Sequence, residues 1–216
     1  FERKPIPLLI GSLVVILIGS LVELVPTFMV RSNVPTIAAV QPYTALEVQG
    51  RDLYIREGCV NCHSQMVRPF RSETERYGEY SKAGEFVYDH PFLWGSKRTG
   101  PDLHREGGKY PDSWHYHHMR DPTSMSPGSI MPPYPWLLDQ QLDVSNTSDK
   151  MKALQKVGVP YDDQSISYAN EDLNIQAKKI SDQLAKDGIK VKPDREIVAL
   201  IAYLQRLGTD IKKMEK

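Results

Sequence analysis

Apolar positions are spread unevenly along this chain, and their spacing changes from one stretch to the next. Residues 6–30, IPLLIGSLVVILIGSLVELVPTFMV, are apolar almost throughout, with Glu23 the one charge. In helix this run spans about 37 Å, enough to cross a hydrocarbon layer of about 30 Å with some tilt. Residues 31–43 (RSNVPTIAAVQPY) hold two prolines and read as an extended linker. From Thr44 the period becomes helical: in TALEVQGRDLYIREG, Leu46, Gly50, Leu53, Tyr54 and Glu57 recur at helical spacing. Thr44 with Glu47 fits a capping box, and Gly58 stops the helix. Residues 64–138 carry little helical period but much Gly, Pro, charge and aromatic content, including Trp94, Trp114 and Trp136. Such a stretch reads as functional loop wrapped on something large. Helical spacing returns at about 146–157, 163–187 and 194–207. The last of these, DREIVALIAYLQRLG, carries an apolar stripe at Ile197, Leu200, Ile201 and Leu204 and ends at Gly208. The expected architecture is mainly α. It has a single N-terminal transmembrane anchor (1–31), a linker (32–43) and one domain (44–216) with a loop insert at 64–98 and a helical extension at 139–192.

Composition changes this picture little. Acidic and basic residues balance at 27 each, so nothing marks a nucleic-acid surface. Arg3 and Lys4 precede the apolar run, which by the positive-inside rule puts the N-terminus in the cytoplasm and the domain outside. A cleaved signal peptide is the alternative, but the run is long for one. Glu23 is costly in lipid; it meets either a membrane partner or interfacial water. Pro26 is tolerated in such a helix when neighbours satisfy the freed backbone groups. The two cysteines sit within one pentapeptide, which does not suit a disulfide-stapled domain.

That pentapeptide is CVNCH, residues 59–63. In c-type haem attachment, two thiols add to the two porphyrin vinyl groups, and the adjacent histidine becomes an axial ligand. Cys59, Cys62 and His63 have that spacing. A dithiol redox pair and half of a zinc site, completed by His115, His117 and His118, are the competing readings. A sixth ligand would come from Met66, Met119, Met125, Met131, Met151 or a histidine. Met131 is favoured because it opens MPPYPWL, whose prolines stiffen the backbone holding the sulfur. Met125 is the runner-up. TGPDL (99–103) read alone is a turn signal; beside the haem motif, the carbonyl of Pro101 becomes a candidate acceptor for the His63 Nδ1–H, which would orient the ring. No general base, nucleophile or phosphate loop stands out.

CVNCH, GPDL and MPPYPWL together resemble a class I cytochrome c. Gly50 and Tyr54, with Tyr203 and Leu204, match the crossing of terminal helices in that fold. The longer strings PYTALEVQGRDLYIREGCVNCHSQMVRPFRSETERYGEYS and YDHPFLWGSKRTGPDL resemble the mono-haem (FixO/CcoO-type) subunit of cbb(3)-type, or C-family, haem–copper oxidases. The likeness covers nearly the whole chain and is densest over residues 42–138. It implies one covalent haem c on Cys59 and Cys62, with His63 and Met131 as axial ligands. It implies membrane-bound partners: a catalytic haem–copper subunit that reduces O2 and conserves the energy as a proton gradient, and a di-haem cytochrome c subunit upstream. The chain would pass electrons to the low-spin haem b of the catalytic subunit. The resemblance also implies a calcium ion near that interface, with Ser96 of WGSKRTG a weak contributor.

Three other readings compete. One is the mono-haem subunit of a nitric oxide reductase, against which the length of 64–98 speaks. Another is a free membrane-tethered cytochrome shuttle, and the third a tethered thiol oxidoreductase. In the favoured reading, 64–98 docks on the catalytic subunit through Phe70, Tyr77, Tyr80, Phe86, Tyr88, Phe92 and Trp94. Arg68, Arg71, Arg76, Lys97 and Arg98 there would meet carboxylates of the partner.

Overall fold

The computed structural model describes residues 3–30 and 35–212, with the side chain of Phe28 left aside; the first residues of the expected linker lie outside the described ones. The long apolar run forms helix α1 (Pro5–Met29), opened by a proline at its first position, where the missing N–H costs nothing. Over Pro5–Thr27 its mean hydropathy is 2.6, and none of it packs into the rest of the protein. A helix apolar on every side and covered by nothing is suited to lipid. Near its end, the Thr27 hydroxyl donates to the Glu23 carbonyl at 2.8 Å.

Among the described residues the rest is helices and turns, with one isolated bridge, Gln141 to Arg195, in place of any strand. The first helix of the domain, α2 (Ala45–Arg56), starts as its sequence demands. The Thr44 hydroxyl accepts from Glu47 N, and the Glu47 carboxylate accepts from Thr44 N at 2.8 Å. Helix α10 (Glu196–Arg206) crosses it so closely that a Cβ on Gly50 would lie 1.9 Å from the Ala199 carbonyl oxygen. Only glycine permits this approach. Leu46, Tyr54, Ile197, Leu200, Ile201 and Tyr203 are buried around the crossing, and the rings of Tyr54 and Tyr203 meet at 5.5 Å.

Helices α7 (Thr147–Lys156) and α9 (Ala169–Lys186) pack on this pair, α9 through Ala169, Leu173, Ala177 and Leu184, and α8 (Asp163–Ser167) packs between α7 and α9. The helix expected over 163–187 is thus interrupted at Tyr168, which closes α8 and precedes α9. The stretch read as loop also holds more helix than its period indicates. It contains α3 (Arg71–Tyr77), α4 (Asp112–Arg120), the single turns α5 (Pro122–Met125) and α6 (Trp136–Asp139), and a 3-10 turn at Ala83–Phe86. In α4 the buried positions are His115 and Met119. A histidine on the inner face hides the apolar stripe by which a helix is read. The chain closes with α11 (Thr209–Lys212).

Candidate functional site

The C-terminal end of α2 delivers the cysteine motif. Gly58, at φ +72°, turns the chain into a 3-10 turn at Cys59–Asn61, and His63 N bonds back to the Cys59 carbonyl at 2.9 Å. Cys59 is half-buried against the core and Cys62 exposed, both with free thiols. Burial, with Glu57 adding to it, pushes the Cys59 thiol up to about 12. The end of a helix that precedes the motif disfavours a thiolate as well. A redox dithiol needs the reverse, a cysteine at a helix N-terminus with its pKa lowered.

His63 is held from the side by residues 99–103. Its Nδ1 lies 2.8 Å from the Pro101 carbonyl oxygen, so Nδ1 carries the hydrogen and Nε2 keeps its lone pair. A Cβ on Gly100 would come within 2.3 Å of the ring, so the glycine is what lets the loop lie flat against the imidazole. Gly100 N donates to Cys62 O and Leu103 N to Ser64 O, both at 2.9 Å, clamping the loop to the motif. Burial lowers the His63 pKa, which favours the neutral ring a metal requires.

Beneath this clamp lies a polar anchor that the sequence reading did not single out. The buried Asp102 carboxylate accepts from the Ser64 hydroxyl (2.6 Å), Met66 N (2.8 Å) and His104 N (2.9 Å). Arg98 donates to Ser64 Oγ at 2.6 Å and to Met66 O at 2.8 Å, and pairs with Glu73 at 2.7 Å. Arg98, then Arg68, holds Glu73 down at about 2. The available signal was the aspartate directly after Gly-Pro.

Of the candidate sixth ligands, Met119 and Met151 are committed to the hydrophobic core. Met131 is half-buried and packs against that core, its N–H donating to Ser129 Oγ. Its loop is tied to α4 through Tyr134 N to Met119 O at 2.8 Å. Met66 and Met125 are also half-buried. Among the described residues, no three or more His, Cys, Asp or Glu gather where they could hold a metal ion, so the histidines of α4 do not complete a zinc site with the cysteines. Ser96 is exposed.

The insert is partly core and partly surface. Val67, Phe86 and Leu93 are buried, whereas Phe70, Tyr80, Phe92 and Trp94 are exposed, the last two stacked at 4.5 Å. Its arginines differ from the expectation. Arg68 pairs with Glu73, Arg71 with Glu75 and Arg98 with Glu73 and Asp102, while Arg76 lies over the Tyr77 ring.

The chain therefore presents two free thiols, an oriented imidazole with a free Nε2, and a thioether on a proline-stiffened loop. These are the donors a haem needs, and the glycine gap shows the imidazole is meant to be held still. A comparison with protein families matches residues 1–211 to the one described as Cytochrome C oxidase, mono-heme subunit/FixO. The chain belongs to this family. As a FixO-family protein it is a mono-haem cytochrome c subunit of a cytochrome oxidase-type complex, carries one haem and has a catalytic subunit as partner. Its apolar N-terminal helix anchors it in a membrane. No curated protein matches the chain.

Proposed function

We propose that this FixO-family subunit serves a cbb(3)-type oxidase, passing electrons through a covalent haem c toward haem b of the catalytic subunit. Cys59 and Cys62 form the thioether bonds, and His63 and Met131 are the axial ligands. The observation that carries this reading is the His63 clamp: Pro101 orients the ring, Gly100 makes room for it, and Asp102 fixes both. A haem bound there supplies a one-electron couple, and a thioether ligand raises its potential. The chain's own part is to hold the imidazole in one tautomer and keep the loops around it fixed, which limits rearrangement as charge changes. Arg3 and Lys4 support a cytoplasmic N-terminus and a periplasmic domain, and a di-haem subunit would be the donor. The exposed aromatics of 64–98 are the docking face for the catalytic subunit. Calcium binding through Ser96 draws no support from an exposed serine outside any acidic cluster.

The test is haem-peroxidase staining after denaturing electrophoresis of the membrane complex. A stained band at the mass of this chain is expected, lost in Cys59→Ala and in Cys62→Ala. Staining that survives replacement of both cysteines refutes covalent attachment. Met131→Ala should lower the midpoint potential, and Met125→Ala should leave it unchanged; the opposite result would reassign the sixth ligand.

A further inference from the structure

Behind the His63 clamp lies a small, partly open pocket of about 30 Å³, walled by Tyr43, Gln65, Glu85, Asp89, His104 and Asp210 among others. By this measure a water needs about 10–15 Å³, so the space suits one or two. Two donors on its wall have no adequate protein partner. The first is Gln65 Nε2. Gln65 is 2% exposed, and its Oε1 already accepts from the Tyr203 hydroxyl at 3.0 Å, yet Nε2 makes no hydrogen bond of good geometry and reaches the Tyr54 hydroxyl only loosely. The second is His104 Nε2, whose tautomer follows from its neighbours. Ser81 Oγ accepts from Val67 N at 2.8 Å and lies 2.5 Å from His104 Nδ1, while the Glu85 carboxylate, which only accepts, faces Nε2. Nδ1 is thus the acceptor and Nε2 bears the hydrogen. Burial keeps the ring neutral, and Phe86 stacked on it at 4.6 Å fixes its plane. Opposite Nε2, Glu85 Oε2 is 3.5 Å away, too far for a good bond, and that carboxylate is taken by Arg105 and Lys82 N.

We propose that this cavity binds an ordered water that accepts from Gln65 Nε2 and His104 Nε2 and donates to the wall carboxylates of Asp89 and Asp210. A water held in such a site needs about two to four polar partners, and an unpaired buried amide is otherwise costly. The water joins the two segments that flank the imidazole. Gln65 lies two residues after His63, and His104 three residues after Pro101. Asp210 belongs to α11, so the same water ties both segments to the C-terminal end of the fold. The site stands whether or not His63 binds iron.

A crystal structure of the intact oxidase complex tests this. A water peak about 2.6–3.2 Å from both Gln65 Nε2 and His104 Nε2 is expected. An empty cavity, or a Gln65 amide turned onto a protein acceptor, overturns the proposal. Gln65→Met in the same complex keeps the volume and removes the donor. It should lose the peak and speed hydrogen exchange at the Gly100 and Leu103 amides about tenfold, with the haem still bound. Tyr203→Phe, which spares both donors to the water, should keep the peak. If Gln65→Met retains the peak or exchanges as the wild type does, the assignment fails.

Discussion

The α2–α10 crossing and the insert 64–98 both position the candidate site, but by opposite means. At the crossing the packing is apolar and backbone-close: the Ala199 carbonyl lies over Gly50, and Leu46, Ile197 and Ile201 are fully buried. In the insert the order is polar. Asp102, just beyond the insert, and Glu73 within it gather backbone N–H groups, a serine and two arginines, while Phe70, Phe92 and Trp94 remain at the surface. The first region resists any change of volume, and its ion pairs, Arg56 with Glu196 and Arg206 with Glu47, lie at the helix ends and not at the point of closest approach. The second tolerates loss of surface apolar groups but depends on charge. Substitutions should separate the two.

The largest effect falls on the crossing. In Gly50→Ala the new methyl meets a carbonyl oxygen and the Tyr203 Cβ, neither of which can swing aside. The helices must part, at a cost of at least about 3 kcal/mol. The variant should accumulate poorly, with little haem-stained protein in membranes; wild-type levels would mean the crossing is looser than described.

Gly100→Ala comes next, with local damage. The obstacle is the His63 ring, a side chain that can rotate away, so the cost to stability is about 1–2 kcal/mol. The ring then loses its bond to Pro101. Haem staining should persist, because the cysteines are untouched, while the low-spin visible spectrum is lost or weakened. An unchanged spectrum would show that the clamp does not orient the ligand.

These two glycines also mark what was legible in the sequence. Gly50 stood in a helical pattern with Leu46, Leu53 and Tyr54, and its role followed from the resemblance to a class I cytochrome c, whose crossing of terminal helices Gly50, Tyr54, Tyr203 and Leu204 match. The Thr44–Glu47 capping box was readable as a local spacing with one geometric meaning, whereas the Pro101 carbonyl facing His63 lies 38 residues from it and was read only beside the haem motif. Asp102, Arg98 and Glu73 were not readable, since the bonds that tie Asp102 and Arg98 to Ser64 and Met66 span 32 to 38 residues and half of them end on backbone groups that no side-chain pattern reports. Helix α4 was missed because His115 and Met119 fill its inner face. The role of Gly100 was hidden inside a Gly-Pro pair that reads as an ordinary turn.

The third effect concerns charge. Glu73 titrates at about 2 in the folded protein against an ordinary value of 4.5, so its pairs with Arg98 and Arg68 favour the fold above about pH 4.5. That contribution fades as pH falls toward 2. Arg68 is half in solvent, which screens the pair and keeps the contribution near about 1 kcal/mol. Wild type should therefore lose more stability than Glu73→Gln between about pH 5 and 2.5. Parallel loss in both proteins would remove Glu73 from the insert's support.

The smallest effect on the domain, and the one that sharpens the contrast most, is Phe92→Ser with Trp94→Ser. The two rings stack on each other at 4.5 Å while 53% and 38% exposed, so they shield each other more than any interior. Trp94 also touches the buried Phe86 edge-on at 5.6 Å, and a small loss is expected there. The domain should lose about 1 kcal/mol at most and keep its haem spectrum, because the insert is held by Asp102 and Glu73 and not by these rings. An exposed aromatic pair on a polar scaffold is instead what an interface uses, with large rigid groups that gain by burial against a partner. The double variant should leave the membrane complex on mild detergent treatment while the wild type stays bound. Of the charges next to the pair, Arg98 is engaged within the chain while Lys97 is exposed, so raising salt should weaken the contact only in part. A double variant that unfolds without leaving the complex would put Phe92 and Trp94 in the same class as Gly50, as core and not as docking face.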